Sequence, residues 1–193
     1  YLVQEIGIPP SQTLTLTFTN RAASEMRHRA LAMIPHSVET PLLCTFHRFG
    51  LLFLRFYMRL LGRLNNFIVI DSSDRKKILR DLIASLKVNA SDDQIANEIS
   101  RFKNASLLPA VLREQDIEEG SHIAATLCVY EAYQNYLQAN NLVDFDDLLL
   151  LPFQILSTNP NVANDVSLQY RYIMVDEYQD TNELQNNLLD CLL

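Results

Sequence analysis

Glycine is scarce in this 193-residue chain: Gly7, Gly50, Gly62 and Gly120 are the only four, and none precedes a lysine. A loop that cradles nucleotide phosphates needs the pattern G-x-x-x-x-G-K-[ST], with glycines for close backbone approach and a lysine for the β- and γ-phosphates. No segment of the chain supplies it. Cysteine is equally sparse. Cys44, Cys128 and Cys191 are odd in number, widely spaced and without a C-x-x-C pair, and His28, His36, His47 and His122 are scattered. Neither a disulfide framework nor a zinc site is expected from that usage, which fits a reducing, cytoplasmic compartment. Long apolar runs are missing too. Leu148 to Leu151 is cut off by Pro152, far short of the roughly 20 residues a membrane helix needs. No basic segment followed by an apolar core reads as a signal peptide.

What is there is an ordinary globular composition, 48% hydrophobic, enough for one or two domains with real cores. A net charge of −7 argues against nucleic-acid contact, which needs Lys and Arg. The distribution reverses that for one third of the chain. Residues 1–64 carry seven Arg against three acids, 65–145 eight bases against twelve acids, and 146–193 one Arg against eight acids. The basic first third suits phosphate contact; the acidic last third suits a metal.

Leu14, Leu16 and Phe18 alternate with Thr15, Thr17 and Thr19, the period of a strand with one more apolar face. Ala22, Met26, Ala30 and Met33 follow at helical spacing, which predicts strand, turn and helix. Leu42 to Thr45 reads as a short strand. Phe46, Phe49, Phe53, Phe56 and Leu60 then step by three and four along an amphipathic helix. The other side of that helix carries Arg48, Arg55 and Arg59, a stripe that either tracks a phosphate backbone or is a solvated face.

From Asn65 the character changes. Phe67 to Ile70 reads as extended, and Asp71 to Asp74 as the cap of a helix reaching about Leu86. Ser91 with Gln94 forms a capping box for a helix with Ile95, Ile99 and Phe102 inward. A third helix spans roughly His122 to Asn140, with Ile123, Leu127, Tyr130 and Leu137 on one side. This mainly helical block, 65–143, interrupts an α/β pattern that resumes at Tyr170. Pro152 is expected to end or kink the helix after Asp147, and the chain is expected to stop at Leu193 inside a helix.

The run Tyr172-Ile173-Met174-Val175-Asp176-Glu177-Tyr178-Gln179-Asp180-Thr181-Asn182 carries the most chemistry. An apolar strand delivers two adjacent carboxylates to its C-terminal end, and parallel α/β proteins bind ligands outside that end. An Asp there can hold Mg²⁺ on a nucleotide's phosphates. The neighbouring Glu can orient or deprotonate a water. The competing reading is a solvated acidic turn, with Asp180 and Thr181 capping the next helix.

This run resembles motif II, the Walker B box, of the UvrD/Rep family of superfamily 1 DNA helicases. Leu16-Thr17-Phe18-Thr19-Asn20-Arg21-Ala22-Ala23-Ser24-Glu25-Met26 resembles motif Ia, and Thr45-Phe46-His47 the start of motif Ib. Val143-Asp144-Phe145-Asp146-Asp147-Leu148-Leu149 is similar to the segment that re-enters the motor domain ahead of motif II. Within the family the wording is closest to its Rep branch. The resemblance implies an α/β fold: a partial RecA-like P-loop motor domain, 1A, with an inserted mainly helical subdomain, 1B. Residues 1–64 and 144–193 would belong to 1A and 65–143 to 1B.

It further implies ATP and Mg²⁺ as cofactors. Asp176 would hold the metal through water, while Glu177 and Gln179 act in catalysis, and all three face the nucleotide. Phe18, Thr19, Asn20, Arg21, Thr45, Phe46, His47 and Arg48 would contact DNA. Arg21 stands where the family more often has Lys, and Arg48 where it usually has a small residue. Phe18 is read either as a base-stacking ring or as core. The family translocates 3′ to 5′ on single-stranded DNA and unwinds the duplex ahead. The partners implied are therefore single strands and single-strand/duplex junctions, with no membrane.

The chain reads as a fragment of such a helicase, entering after motif I and leaving after motif II. Alone it is expected to be inactive toward ATP and to bind single strands weakly, through Arg21, Arg48 and Arg55. It is also expected to self-associate through an exposed sheet edge. Two alternatives stand beside this reading. One is the motor part of a RecB/AddA-like helicase–nuclease; the other is a non-catalytic helical interaction module with an inactive motor remnant.

Overall fold

The computed structural model describes all residues except 35–38, 116 and 119; His36 therefore lies outside the described residues. The chain forms two compact units, Tyr1–Phe53 with Pro152–Leu193, and Leu54–Leu151. The second is an insertion in the first and is wider on both sides than the 65–143 block.

The first unit opens with a 3-10 turn, Pro10–Gln12, then β1 (Thr13–Thr17), α1 (Asn20–Met33), β2 (Leu42–Thr45) and the start of α2 (Phe46–Tyr57). The second unit continues from α2 through a 3-10 turn, Met58–Leu61, to β3 (Ile68–Val69), α3 (Ser72–Ser85) and α4 (Asp92–Asn104). It then runs through α5 (Pro109–Arg113), α6 (His122–Ala139), β4 (Leu142–Val143) and the first part of α7 (Asp147–Thr158). The first unit resumes with the rest of α7, then α8 (Pro160–Gln169), β5 (Tyr172–Val175), a 3-10 turn at Tyr178–Asp180, and α9 (Glu183–Asp190). The result is the expected α/β class with an inserted helical block.

β1 is the centre of a parallel sheet ordered β2-β1-β5, with Leu16 opposite both Cys44 and Val175. Parallel sheets are covered on both faces, so β1 departs from the expected single apolar face. Leu14 and Leu16 are fully buried, and Thr13 and Thr17 are nearly so. The buried hydroxyls are satisfied: Thr13 Oγ1 donates to Pro10 O at 2.8 Å and Thr17 Oγ1 to Asp176 Oδ2 at 3.2 Å. Pro152 does not end α7, which runs on to Thr158. Its missing N–H removes one helical bond, but Leu148 to Leu151, Ile155 and Leu156 are buried around it and hold the helix. The last helix stops at Asp190, short of Leu193, which is exposed.

In the second unit α3, α4 and α6 pack around Leu79, Ile99, Phe102, Tyr130 and Leu137. The two expected caps are present: Asp71 accepts from the Ser73 and Asp74 amides, and Ser91 and Gln94 form the capping box. α6 differs from expectation. Its inward face is Thr126, Val129, Tyr130, Tyr133 and Leu137, while Ile123 is 43% exposed. The helix is apolar nearly all round, so periodicity alone could not choose the buried face.

Lys103 on α4 is completely buried and donates to Asp144 Oδ2 and Asp147 Oδ1, both at 2.7 Å. Tyr133 Oη donates to the same Asp144 oxygen at 3.0 Å, and Arg75 reaches Asp146 at 3.2 Å. Burial works against the charge on Lys103, yet Asp144 and Asp147 together hold its pKa above the usual lysine value. Burial also opposes ionisation of Asp144, but Lys103 and Arg75 outweigh it and keep this carboxyl below the usual range. Asp147 goes the other way, raised by burial and by the charge of Asp144.

Candidate functional site

The strand ends of the first unit carry two neighbouring sets of side chains. β5 ends at Val175, and the Asp176 amide still donates to Leu16 O at 2.9 Å. That last ladder bond fixes the Asp176 carboxylate at the sheet's C-terminal edge, half-exposed and held by the Thr17 hydroxyl. Glu177 then turns the chain with φ 49° and ψ 47°, a left-handed conformation that a non-glycine residue adopts at a cost of about 1–3 kcal/mol. Its exposed side chain accepts a hydrogen bond from Gln179 Nε2. Asp176, Glu177 and Gln179 thus stand together.

Asp180 and Thr181 do not cap α9, so that part of the competing reading fails. The N-cap is Asn182, in a reciprocal capping box with Gln185. Thr181 instead ties Tyr178 O and Asn186 Oδ1, both at 2.7 Å, closing the turn from behind. Asp180 is exposed.

The second set lies where β1 and β2 hand over to their helices. These strands are adjacent and parallel, so α1 and α2 begin side by side on the same edge as Asp176. Thr19 is the N-cap of α1, accepting from Ala22 N at 3.1 Å. Asn20 and Arg21 are exposed in its first turn. Thr45 plays a similar part for α2, accepting from Arg48 N at 3.2 Å. His47 is half-buried and Arg48 exposed. Arg21 and Arg48 have no ion-pair partner among the described residues.

The aromatic candidates divide. Phe46 is 1% exposed, with its ring centroid 5.6 Å from that of Phe18. Its ring is a packing element, a correction to its expected contact role. Phe18 is half-buried on the same contact, combining the two readings given for it. The arginine stripe is also corrected. Arg55 donates to Asn65 O and Phe67 O at 2.8 and 3.0 Å and lies 4.2 Å over the Phe67 ring. It is a strut between helix and loop, because one guanidinium satisfies two carbonyls and a ring face together.

Sequence reasoning missed Thr17. It reads as one more polar residue of an alternating strand. Only the pairing of β1 with β5, 159 residues apart in sequence at this contact, brings its hydroxyl to Asp176.

The acidic set fits a divalent metal held partly by other ligands. Among the described residues no group of three His, Cys, Asp or Glu side chains forms a cage. Mg²⁺ is characteristically bound by one or two carboxylates together with water and substrate phosphates, which a half-exposed Asp176 beside an exposed Glu177 allows. The phosphate-cradling glycines are not in this chain: Gly7, Gly62 and Gly120 lie at loop positions with positive φ, and Gly50 inside α2. Cys44 on β2 is buried, and burial pushes its thiol up to about 11 against the opposing charge of Arg48. It is inert at neutral pH. Among the described residues no helix is long and apolar enough to cross a membrane.

Comparison with known proteins gives a family for the chain. Residues 1–193 match the family described as UvrD/REP helicase N-terminal domain. A probable DNA helicase II homolog of Mycoplasma capricolum subsp. capricolum is 34% identical over 201 residues, covering 100% of this chain and 27% of the relative. The ATP-dependent DNA helicase PcrA of Staphylococcus aureus is 32% identical over 195 residues, covering 100% of this chain and 26% of the relative. PcrA of Leuconostoc citreum is 34% identical over 197 residues, with 100% and 26% covered. The chain spans about a quarter of the length of these curated relatives. With the ordered motifs and the parallel sheet that aligns them, the chain belongs to the UvrD/REP helicase N-terminal domain family.

Proposed function

We propose that this chain supplies the metal- and water-facing half of the ATP site, together with part of the single-strand path, of a 3′ to 5′ ATP-dependent DNA helicase. The observation that carries the reading is the contact of Asp176 with Thr17. It joins the acidic set directly to the strand that runs into Phe18, Thr19, Asn20 and Arg21. In this reading the segments around the sheet are motor domain 1A, and residues 65–143 are subdomain 1B.

Asp176 would hold the metal, its carboxylate oriented by the Thr17 hydroxyl. Glu177 would orient the attacking water and accept its proton, its carboxylate fixed from one side by Gln179. Bound Mg²⁺–ATP supplies the electrophilic phosphorus and the charge that stabilises the departing oxygen. Thr19, Asn20, Arg21, Thr45, His47 and Arg48 meet the strand through two helix N-termini, whose positive ends favour phosphate, and Phe18 offers a ring edge. The partners are single-stranded DNA and its junctions with duplex, and the compartment is the cytoplasm. Among the described residues β2 and β5 each end the sheet, and their open edges support self-association of the chain in isolation.

The test is DNA-stimulated ATP turnover in the complete protein. Glu177→Gln is expected to lower turnover by at least about 100-fold while nucleotide binding is kept. Near-normal turnover by that variant would remove Glu177 from the reaction.

A further inference from the structure

The helical unit has a small parallel sheet of its own, β3 and β4, in which Ile68 lies opposite Leu142 and Val69 opposite Val143. The Ile68 amide donates to Asn141 O at 3.1 Å and the Ile70 amide to Val143 O at 2.9 Å. Backbone groups alternate in direction along a strand, so Val69 turns its own N–H and C=O to the other side. Among the described residues no strand pairs there. Phe67 O faces that side too and accepts from Arg55 at 3.0 Å, so the open stretch starts at Val69. Ile68 is 64% exposed and Val69 36%, although both are aliphatic.

A cavity of about 300 Å³ opens on the face of this edge that carries Ile68 and Ile70, with Leu142 of β4 and Ile78 of α3 also in its wall. Asp74, Lys77 and Asp81 of α3 line it as well, and their spacing of three and four puts them on one helix face. None of the three has an ion-pair partner among the described residues. Two carboxylates against one ammonium leave the aliphatic cavity with a negative rim. Open strand edges take extended peptides as added strands, with affinity from backbone bonds and specificity from side-chain pockets. β3 is short, and short edges are poor templates by themselves, so the cavity has to supply the anchor.

We propose that β3 and this cavity dock an extended segment of a protein partner. Residues two apart on that segment share a face, so it carries an aliphatic side chain for the cavity and, two residues away, a Lys or Arg for Asp74 and Asp81. The carboxylates disfavour a nucleic-acid strand here. The site is independent of the nucleotide and DNA readings above.

The experiment is fluorescence anisotropy of a labelled, end-capped Ser-Val-Ser-Lys-Ser-Val peptide with the 193-residue chain, alongside sedimentation velocity of the chain alone. Two control peptides are used: one with Glu in place of Lys, and one N-methylated throughout, which cannot donate to an edge. The chain variants, each checked for parental thermal melting, are Val69→Pro, Asp74→Asn with Asp81→Asn, and Lys77→Met. Saturable binding by the parent is expected. Val69→Pro or N-methylation should weaken it at least about fivefold, for one or two lost backbone hydrogen bonds. The double asparagine variant should weaken it severalfold and flatten its salt dependence, whereas Lys77→Met should tighten it. No saturable binding by the parent, or equal binding of the Glu peptide, overturns the proposal. So does binding that survives both Val69→Pro and N-methylation, which would place the peptide elsewhere on this acidic chain. If the chain alone dimerises and Val69→Pro restores the monomer, the edge takes a second copy, and the peptide assignment is overturned.

Discussion

Two stretches of this chain look alike on paper and behave as opposites in the fold. After β4 come Asp144, Asp146 and Asp147, then α7; after β5 come Asp176 and Glu177, then α9. The first trio is drawn inward. Asp144 and Asp147 are 1% and 0% exposed and share a buried lysine, while Asp146 meets Arg75, Ser100 and Asn104. The second pair faces outward, with a threonine hydroxyl and a glutamine amide as its side-chain partners. Carboxylates behind a strand are therefore not in themselves a site. A carboxylate already neutralised by buried cations fixes structure; one held only by neutral donors keeps its charge for a ligand.

The largest effect should come from removing the buried cation. Lys103→Met leaves two carboxylates without their counter-ion and is expected to cost about 3–5 kcal/mol, read from urea unfolding. A loss below about 1 kcal/mol would mean that the cluster does not depend on its lysine. The pH dependence has a definite sign. The raised pKa of Lys103 makes its contribution complete below the unfolded lysine value, about 10.4, and lost as pH rises through the folded value. The depressed pKa of Asp144 makes its contribution present above the unfolded value, about 3.9, and lost as pH falls through the folded one. Asp147, raised by burial and Asp144, opposes folding at neutral pH and ceases to do so on protonation.

Asp147→Asn should accordingly cost less at neutral pH than Asp144→Asn, by roughly 1 kcal/mol or more; the reverse order would show that the two carboxylates have been assigned the wrong way round. Thr17→Val should cost about 0.5–1.5 kcal/mol for one lost hydrogen bond. In the complete protein it should also weaken Mg²⁺-dependent nucleotide binding, a readout that a packing role alone would leave unmoved. Smallest of all, Glu177→Gly removes the left-handed strain and should raise thermal stability, by up to about 1 kcal/mol. A lower melting temperature would show that the turn depends on the Glu177 side chain.

Much of both units was legible before folding. The Leu/Thr alternation placed β1, the helical spacing after Asn20 placed α1, and the capping box at Ser91 and Gln94 placed the start of α4. Asp176 and Glu177 stood out because an apolar strand preceded them. What could not be read depended on distant pairing. Nothing local says that Val143 pairs with Val69, so the acids behind it could not be recognised as bound for Lys103. Nothing local brings Thr17 to Asp176. Arg55 and Phe46 were misjudged for the same reason: their partners, Phe67 and Phe18, lie across loops and strands whose closure the periodicity does not encode.

The contrast between the two acidic clusters can be measured directly with one matched pair of substitutions. Asp144→Asn and Asp176→Asn remove the same charge from the same residue type, and their urea midpoints can be compared side by side at neutral pH. Asp144→Asn is expected to lose about 3–5 kcal/mol by leaving Lys103 half-paired. Asp176→Asn should stay within about 0.5 kcal/mol of the parent, as substitutions at open sites do. Equal losses at the two positions would contradict the division between a structural and a chemical carboxylate cluster.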